Sequence, residues 1–406
     1  MAAGGQGSVY VLYTGGTFGM GHSSQGLLEP MSLEHLKDFL IKMTILYEKN
    51  PSETEEQVDI NLFHHHFRNL SQKAVDDCRS LYKNTTYRVR YQIEAVEPPV
   101  DSSKIMPEKW FEIATRIQEA RDKYDGFVIL HGTDTMAYTS SALSFILMDL
   151  KKPVVFTGAQ RNIFHPHSDA WNNFIGAMLI AGCCSQTAAL HKVMLFCDCK
   201  LFQGNRVRKF DCDGFSVFDS PNKVPLAYMD TIIKVSVSVT YTGAAVEEEE
   251  ILNVEACDTP PDVRVLRFFP GIKEEYVRSV LEGADGVVLE TFGSGNAPEH
   301  DWLKEALIEA GRRKVVMLNC TQVYRGTVLP IYALTSAGVV LGYDITPEAA
   351  LTKMVWTLKT FPDFETRRRV LEASICGESS APPKRLVSIR CYDNVSAKRD
   401  NLEGKY

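Results

Sequence analysis

The sequence predicts an α/β protein of two domains with largely parallel sheets. Short β-branched and apolar runs at 126–130 (GFVIL), 152–156 (KPVVF) and 286–290 (GVVLE) each run into a turn and then a helical pattern. A fourth run, KVVML at 314–318, leads into the polar stretch NCTQVYRG. Strands alternating with helices are the mark of a parallel sheet. The rhythm occurs in both halves of the chain, and residues 226–262 between them have a different texture.

Along the chain, residues 8–21 read SVYVLYTGGTFGMG. A strand over Val9 to Tyr13 runs into Thr14-Gly15-Gly16-Thr17. The glycines do not fit a dinucleotide fingerprint, and no Gly-Lys-Ser/Thr follows to make a phosphate loop. That leaves a plain glycine turn, or a place where a ligand approaches the backbone beside Thr17 at the carboxyl end of a strand. In PPVDSSKIMPEKW (98–110) a helix should start near Pro107. Asp101, Ser102 and Ser103 before it serve either as a capping turn or as holders of a small polar ligand. His131-Gly132-Thr133-Asp134-Thr135 follows the run at 126–130 and opens a helix. Free N–H groups there attract an anion. Asp134 can bind an ammonium or orient a base, yet Asp134 and Thr135 are also ordinary caps. His131 by itself reads as a packed histidine.

The next helix carries Trp171, Phe174, Ile175, Met178 and Leu179 on one face, with Ser168 and Asp169 where an N-cap belongs. GNRVRKFDCDGF (204–215) reads as a charged, solvated loop, in which Lys209 matters only beside a hydroxyl whose proton it can accept. The alternation in TIIKVSVSVTY suggests a strand or hairpin, and EEEE (247–250) and TPPD (259–262) mark a boundary. The expected organisation is domain one at 1–225, a linker at 226–262, domain two at 263–380 and a polar tail at 381–406.

Composition narrows the function. A net charge of −7 over 406 residues argues against a nucleic-acid partner. The longest apolar runs, such as 177–181, fall far below the roughly 18 residues of a membrane span. MAAGGQG at the start lacks the basic and apolar regions of a signal peptide, so a cytoplasmic location with reduced cysteines is expected for the ten present. Cys183-Cys184 and Cys197-x-Cys199 lack zinc-site spacing. The consecutive histidines of HHHF (64–67) point in different directions, so no metal is expected.

Taken together, YTGGTFGM, DSSKI, HGTDTM, VVFTGAQ, SDAWNNFIGA, GNRVRK, FGSGNAP and NCTQ resemble the L-asparaginases, most closely the cytosolic type I branch of animal type. The resemblance spans residue 10 to about 322 and continues through GYDITPEAALTK to about 354. No ankyrin-type repeat, present in some animal relatives, is visible. The resemblance implies an asparaginase-like pair of α/β domains with the active site in the first and no cofactor. It implies L-asparagine as substrate, Thr17 as nucleophile, and Thr133, Asp134 and Lys209 as a second catalytic group. Asp134 would also bind the substrate ammonium, and Asp101, Ser102 and Ser103 its α-carboxylate. A homodimer or dimer of dimers is implied. Broader amide or phospholipid ester cleavage, and a non-catalytic binding role, are the competing readings.

Two departures stand out. Many relatives carry a tyrosine on the loop after the first threonine, and the matching position here is Leu27. Of Tyr324 and Tyr332 in the C-terminal half, the resemblance favours Tyr332 as the phenol that serves Thr17, against a simple packing role. Glu290 stands where allosterically regulated bacterial relatives are expected to have an arginine.

Overall fold

The structure is a computed structural model that describes residues 6–22, 28–42, 58–61, 88–230, 233–236, 250–253, 261–330, 333–380 and 387–390. The chain divides into two compact units, Met1–Tyr241 and Thr242–Tyr406.

In the first unit, β1 (Gln6–Gly15) ends in a 3-10 turn at Thr17–Gly19. There follow β2 (Met20–His22), β3 (Leu28–Pro30), α1 (Leu33–Lys42), β4 (Val58–Asn61), β5 (Arg88–Val100), α2 (Pro107–Ala120), β6 (Gly126–Leu130) and α3 (Met136–Ile146). Next come β7 (Val154–Thr157), α4 (Ala170–Cys183), β8 (Val193–Cys197), β9 (Lys200–Gln203), β10 (Arg208–Lys209), β11 (Phe218–Asp219), β12 (Ala227–Met229) and β13 (Ile233–Val235). The main sheet has the order β13-β12-β9-β8-β7-β6-β1-β5-β4. It is parallel only in the central block β5-β1-β6-β7-β8. Its flanks, β4 on one side and β9, β12 and β13 on the other, are antiparallel.

The central strands are covered on both faces, which is why β6, β7 and β8 read as continuous apolar runs. Val9, Val11, Tyr13, Val128 and Leu130 share a core with Phe174, Ala177, Met178 and Ala181 of α4. That helix lies almost on the backbone of the sheet: a Cβ built at Gly126 would be 2.2 Å from the Ala181 carbonyl oxygen. Residues 227–229 and 233–235, assigned from sequence to a linker carrying a strand or hairpin, form the antiparallel edge of this sheet. Leu226 and Ala227 are buried there, which removes them from any solvated connection.

The second unit contains β14 (Glu250–Asn253), β15 (Val263–Arg267), α5 (Glu274–Leu281), β16 (Gly286–Thr291), α6 (Asp301–Arg312), β17 (Val316–Thr321), β18 (Val340–Leu341), α7 (Pro347–Thr360), α8 (Phe364–Glu372) and β19 (Val387–Arg390). Its four-stranded sheet, β15-β16-β17-β18, is parallel throughout. Val287 and Leu289 face one core with Val277, Leu303 and Leu307, while Val288 faces another with Ala350, Met354 and Leu358. β19 pairs in parallel with β14, so part of the expected tail is a strand.

Beyond α8 the chain is tied down by a buried ion pair. Lys353 Nζ lies 2.7 Å from Glu378 Oε1, with both side chains essentially inaccessible. Lys353 also donates to the carbonyls of Leu371 and Ala373, and Glu378 accepts from the amides of Ile375 and Cys376. Every ionic atom is thereby hydrogen-bonded, the condition for a charge to be tolerated inside a core.

Candidate active site

Four segments singled out in the sequence leave the carboxyl ends of neighbouring parallel strands. The register places Gly15 opposite Val100, Tyr13 opposite Leu130, and Leu130 opposite Thr157. Thr17, Asp101–Ser103, His131–Thr135 and Gly158–Gln160 therefore emerge side by side, where ligands collect in open α/β sheets. Glycine lets the loops touch. Gly16 has φ 79°, and a Cβ on it would sit 2.2 Å from the Gly132 Cα. A Cβ on Gly132 would sit 2.6 Å from Ser102 Oγ. The Gly16 amide donates to the Val100 carbonyl at 3.1 Å, and Thr135 Oγ1 donates to the Ser102 carbonyl at 2.8 Å. Thr17, half-buried, opens the turn held by the Gly19 amide on the Gly16 carbonyl.

A lysine reaches this floor from the β10–β11 hairpin. Lys209 Nζ donates to Thr133 Oγ1 at 2.9 Å and to Asp134 Oδ1 at 2.7 Å. Thr133 is buried, and the Lys209 side chain is 18% exposed against 65% for Asp134. Asp134 and Thr135 are thus engaged with Lys209 and Ser102, and Thr135, at the N-cap of α3, makes no side-chain capping bond. Gln160 Nε2 adds a second donor to Thr133 Oγ1, at 3.0 Å. Sequence reasoning quoted VVFTGAQ without singling out this glutamine; its signal was a polar side chain three residues past a buried strand.

Comparison with known proteins gives the family. The family model described as "Asparaginase, N-terminal" matches residues 8–242, and "Glutaminase/Asparaginase C-terminal domain" matches 262–371. The chain belongs to the asparaginase family. It is 35% identical to the L-asparaginase of Dirofilaria immitis, over 91% of this chain and 60% of that protein. It is 38% identical to the 60 kDa lysophospholipase of Mus musculus, over 73% of this chain and 52% of that one. It therefore spans about half to three fifths of those two relatives. With L-asparaginase 1 of Escherichia coli (strain K12) the identity is 36%, over 91% of this chain and 97% of the relative. The solved L-asparaginase I from Vibrio cholerae superposes with a TM-score of 0.71 at 33% identity, covering 92% of this chain and 99% of that one.

Around this asparaginase-family site, the remaining side chains sort by their partners. Asp101 accepts from the Ser103 amide at 2.8 Å and caps a short 3-10 turn. The hydrogen bonds from Ser103 hold its carboxyl below the usual range. An ionised carboxylate is an acceptor only and repels another, so direct contact of Asp101 with a substrate carboxylate is physically disfavoured. Ser102 is buried beside Gly132, while Ser103 is exposed. His131 is fully buried against Phe156, with Nδ1 2.7 Å from the Gly132 carbonyl. Burial lowers its pKa to about 4, so it is neutral at ordinary pH and packs as expected.

Arg206, by contrast, is buried rather than part of a solvated loop. Asp169 stands at the N-cap of α4 without capping it; its carboxylate instead accepts from the amides of Gln160 and Arg161. Tyr332, Leu27 and His64–His66 lie outside the described residues, and Tyr324 is exposed. The described cysteines form no disulfide with one another. Among the described residues, no helix is long and apolar enough to cross a membrane.

Proposed function

We propose that the protein hydrolyses L-asparagine to L-aspartate and ammonia through a threonine ester. The observation that carries this reading is the Lys209 amine, within hydrogen-bond distance of both Thr133 Oγ1 and Asp134 Oδ1 at the mouth of the strands that present Thr17. An amide resists direct attack by water, and a covalent intermediate divides the barrier. Thr17 Oγ attacks the side-chain amide carbon, its proton is relayed to the leaving nitrogen, and the C–N bond breaks to release ammonia. Water then attacks the aspartyl ester and frees Thr17. An ammonium has no lone pair, so Lys209 accepts a proton only in its neutral form, and Asp134 then stabilises the charge it acquires. Among the described residues Asp134 is engaged only through Oδ1, which leaves Oδ2 for the substrate ammonium. The substrate carboxylate falls to the Ser102–Ser103 turn rather than to Asp101, whose own carboxylate already accepts from the Ser103 amide.

A second reading, ester cleavage of a lysophospholipid, is favoured by the similarity to the mouse lysophospholipase. The same nucleophile serves either acyl group. Ammonia release from asparagine and from glutamine, measured beside fatty-acid release from lysophosphatidylcholine, separates the two. Asparagine turnover well above the other activities is expected, and fatty-acid release alone would overturn the first reading. Thr17→Ala and Thr133→Ala should each lower kcat by orders of magnitude while the thermal midpoint stays unchanged. A near-normal kcat in either variant removes that threonine from the mechanism. The protein is further proposed to be cytoplasmic, of the type I branch, with no cofactor.

A further inference from the structure

We infer that Gln160 is a positioning residue for this hydrolysis: its carboxamide, on a backbone held by Asp169, pins the Thr133 oxygen and steadies the negative charge that grows there. The inference rests on the reading above, in which Thr133 exchanges a proton with Lys209. A hydroxyl oxygen has two lone pairs and one hydrogen. Lys209 Nζ at 2.9 Å and Gln160 Nε2 at 3.0 Å both donate to Thr133 Oγ1. With Lys209 charged, the two donors fill the lone pairs, and the Thr133 hydrogen points away from both. With Lys209 neutral, that hydrogen turns to the amine, and Gln160 is the donor that remains. When the Thr133 O–H bond breaks and an N–H bond forms on Lys209, the electron pair stays on oxygen. The Gln160 bond then changes from neutral to charge-assisted and strengthens as the charge develops. A neutral amide does this without adding a charge beside Lys209 and Asp134.

The aim of the carboxamide is set at a distance from the chemistry. The Gln160 amide donates to both oxygens of Asp169, at 3.1 and 3.0 Å, and the Arg161 amide to one at 3.1 Å. Asn173 Nδ2 donates to Asp169 Oδ2 at 3.2 Å and to the Gly158 carbonyl at 3.0 Å. Asn173 Oδ1 accepts from the Asp198 amide at 3.0 Å, and its side chain is buried. The turn after β7 is thereby bolted to the first turn of α4, and Gln160 carries that rigidity to Thr133. This gives the Asp169 carboxylate a task that an ordinary N-cap does not have.

The test uses Gln160→Met, which keeps the length and removes the donor, and Gln160→Glu, which replaces the donor by acceptors. In Gln160→Met, kcat for asparagine should fall roughly tenfold with KM within about twofold, the loss of one hydrogen bond made mainly in the transition state. The thermal midpoint should not move. Gln160→Glu should fall at least as far. Asp169→Asn should lower kcat, and the double variant with Gln160→Met should be no slower than the slower single variant, because both act along one path. Wild-type kcat in either Gln160 variant, a loss confined to KM, or fully additive effects in the double variant would overturn the inference. Thr133→Ala is assayed alongside: if it stays active, the relay reading fails, whereas an inactive Thr133→Ala beside a fully active Gln160→Met sinks the Gln160 inference alone.

Discussion

Lys209 meets Thr133 from 76 residues along the chain, and in the proposed mechanism that contact gives a buried hydroxyl its proton partner. Lys209→Met should therefore lower kcat by about 10²- to 10⁴-fold, the usual range for a lost acid–base group, with little change in KM. Arg208→Met, beside it in β10 but on the alternate face of the strand, is the control and should lose far less kcat. Arg206 cannot serve as one, because its burial makes any substitution a folding perturbation. Equal, mild kinetic losses at Lys209 and Arg208 would return the hairpin to a solvated role. Tyr332 is argued from the resemblance alone. If its phenol moves the Thr17 proton, Tyr332→Phe should lose about 10²-fold in kcat. Tyr324→Phe, at an exposed position, should lose nothing.

Among the elements, α7 and the segment after α8 depend on one another through Lys353 and Glu378. Burial works against ionising Glu378, but the charge of Lys353 and the amides of Ile375 and Cys376 outweigh it and hold the carboxyl below its usual range. A group whose folded pKa is depressed contributes its stability above the unfolded pKa and loses it as pH falls toward the folded value. Acid should therefore weaken the second unit from the ordinary carboxylate range downward. Glu378→Gln leaves the lysine buried without its counter-ion and should cost about 3–5 kcal/mol near neutrality. It should also flatten the acid dependence of the urea midpoint. A variant as stable as wild type at pH 7, or one with the same acid slope, would show that the pair contributes nothing net.

For the whole molecule, two expectations come from the resemblance. Light scattering should report a dimer or a dimer of dimers, and a fully active monomer would reject this. The rate should rise hyperbolically with asparagine. Glu290 is paired with Arg267 at 3.2 Å, so an ion-paired carboxylate occupies the position where regulated bacterial relatives are expected to have an arginine. A clearly sigmoidal curve would count against that assignment.

What the sequence determined by itself is local: which runs are strands, which turns follow them, and which polar residues stand at their carboxyl ends. Thr17 and Thr133 were legible because a buried strand and the turn after it are set by a few neighbouring residues. The family resemblance then attached roles to them. The tertiary structure decided what depends on distant partners. Residues 227–229 and 233–235 join the first sheet because an edge strand is defined by the strand it pairs with, not by its own composition. Arg206 looks solvated in sequence, and only packing shows it buried. Gln160 looks like any turn residue until the fold brings its carboxamide to Thr133 and its backbone amide to Asp169. The site exists because Gly16 and Gly132 have no side chains to keep their loops apart, a fact of contact between segments more than a hundred residues from one another.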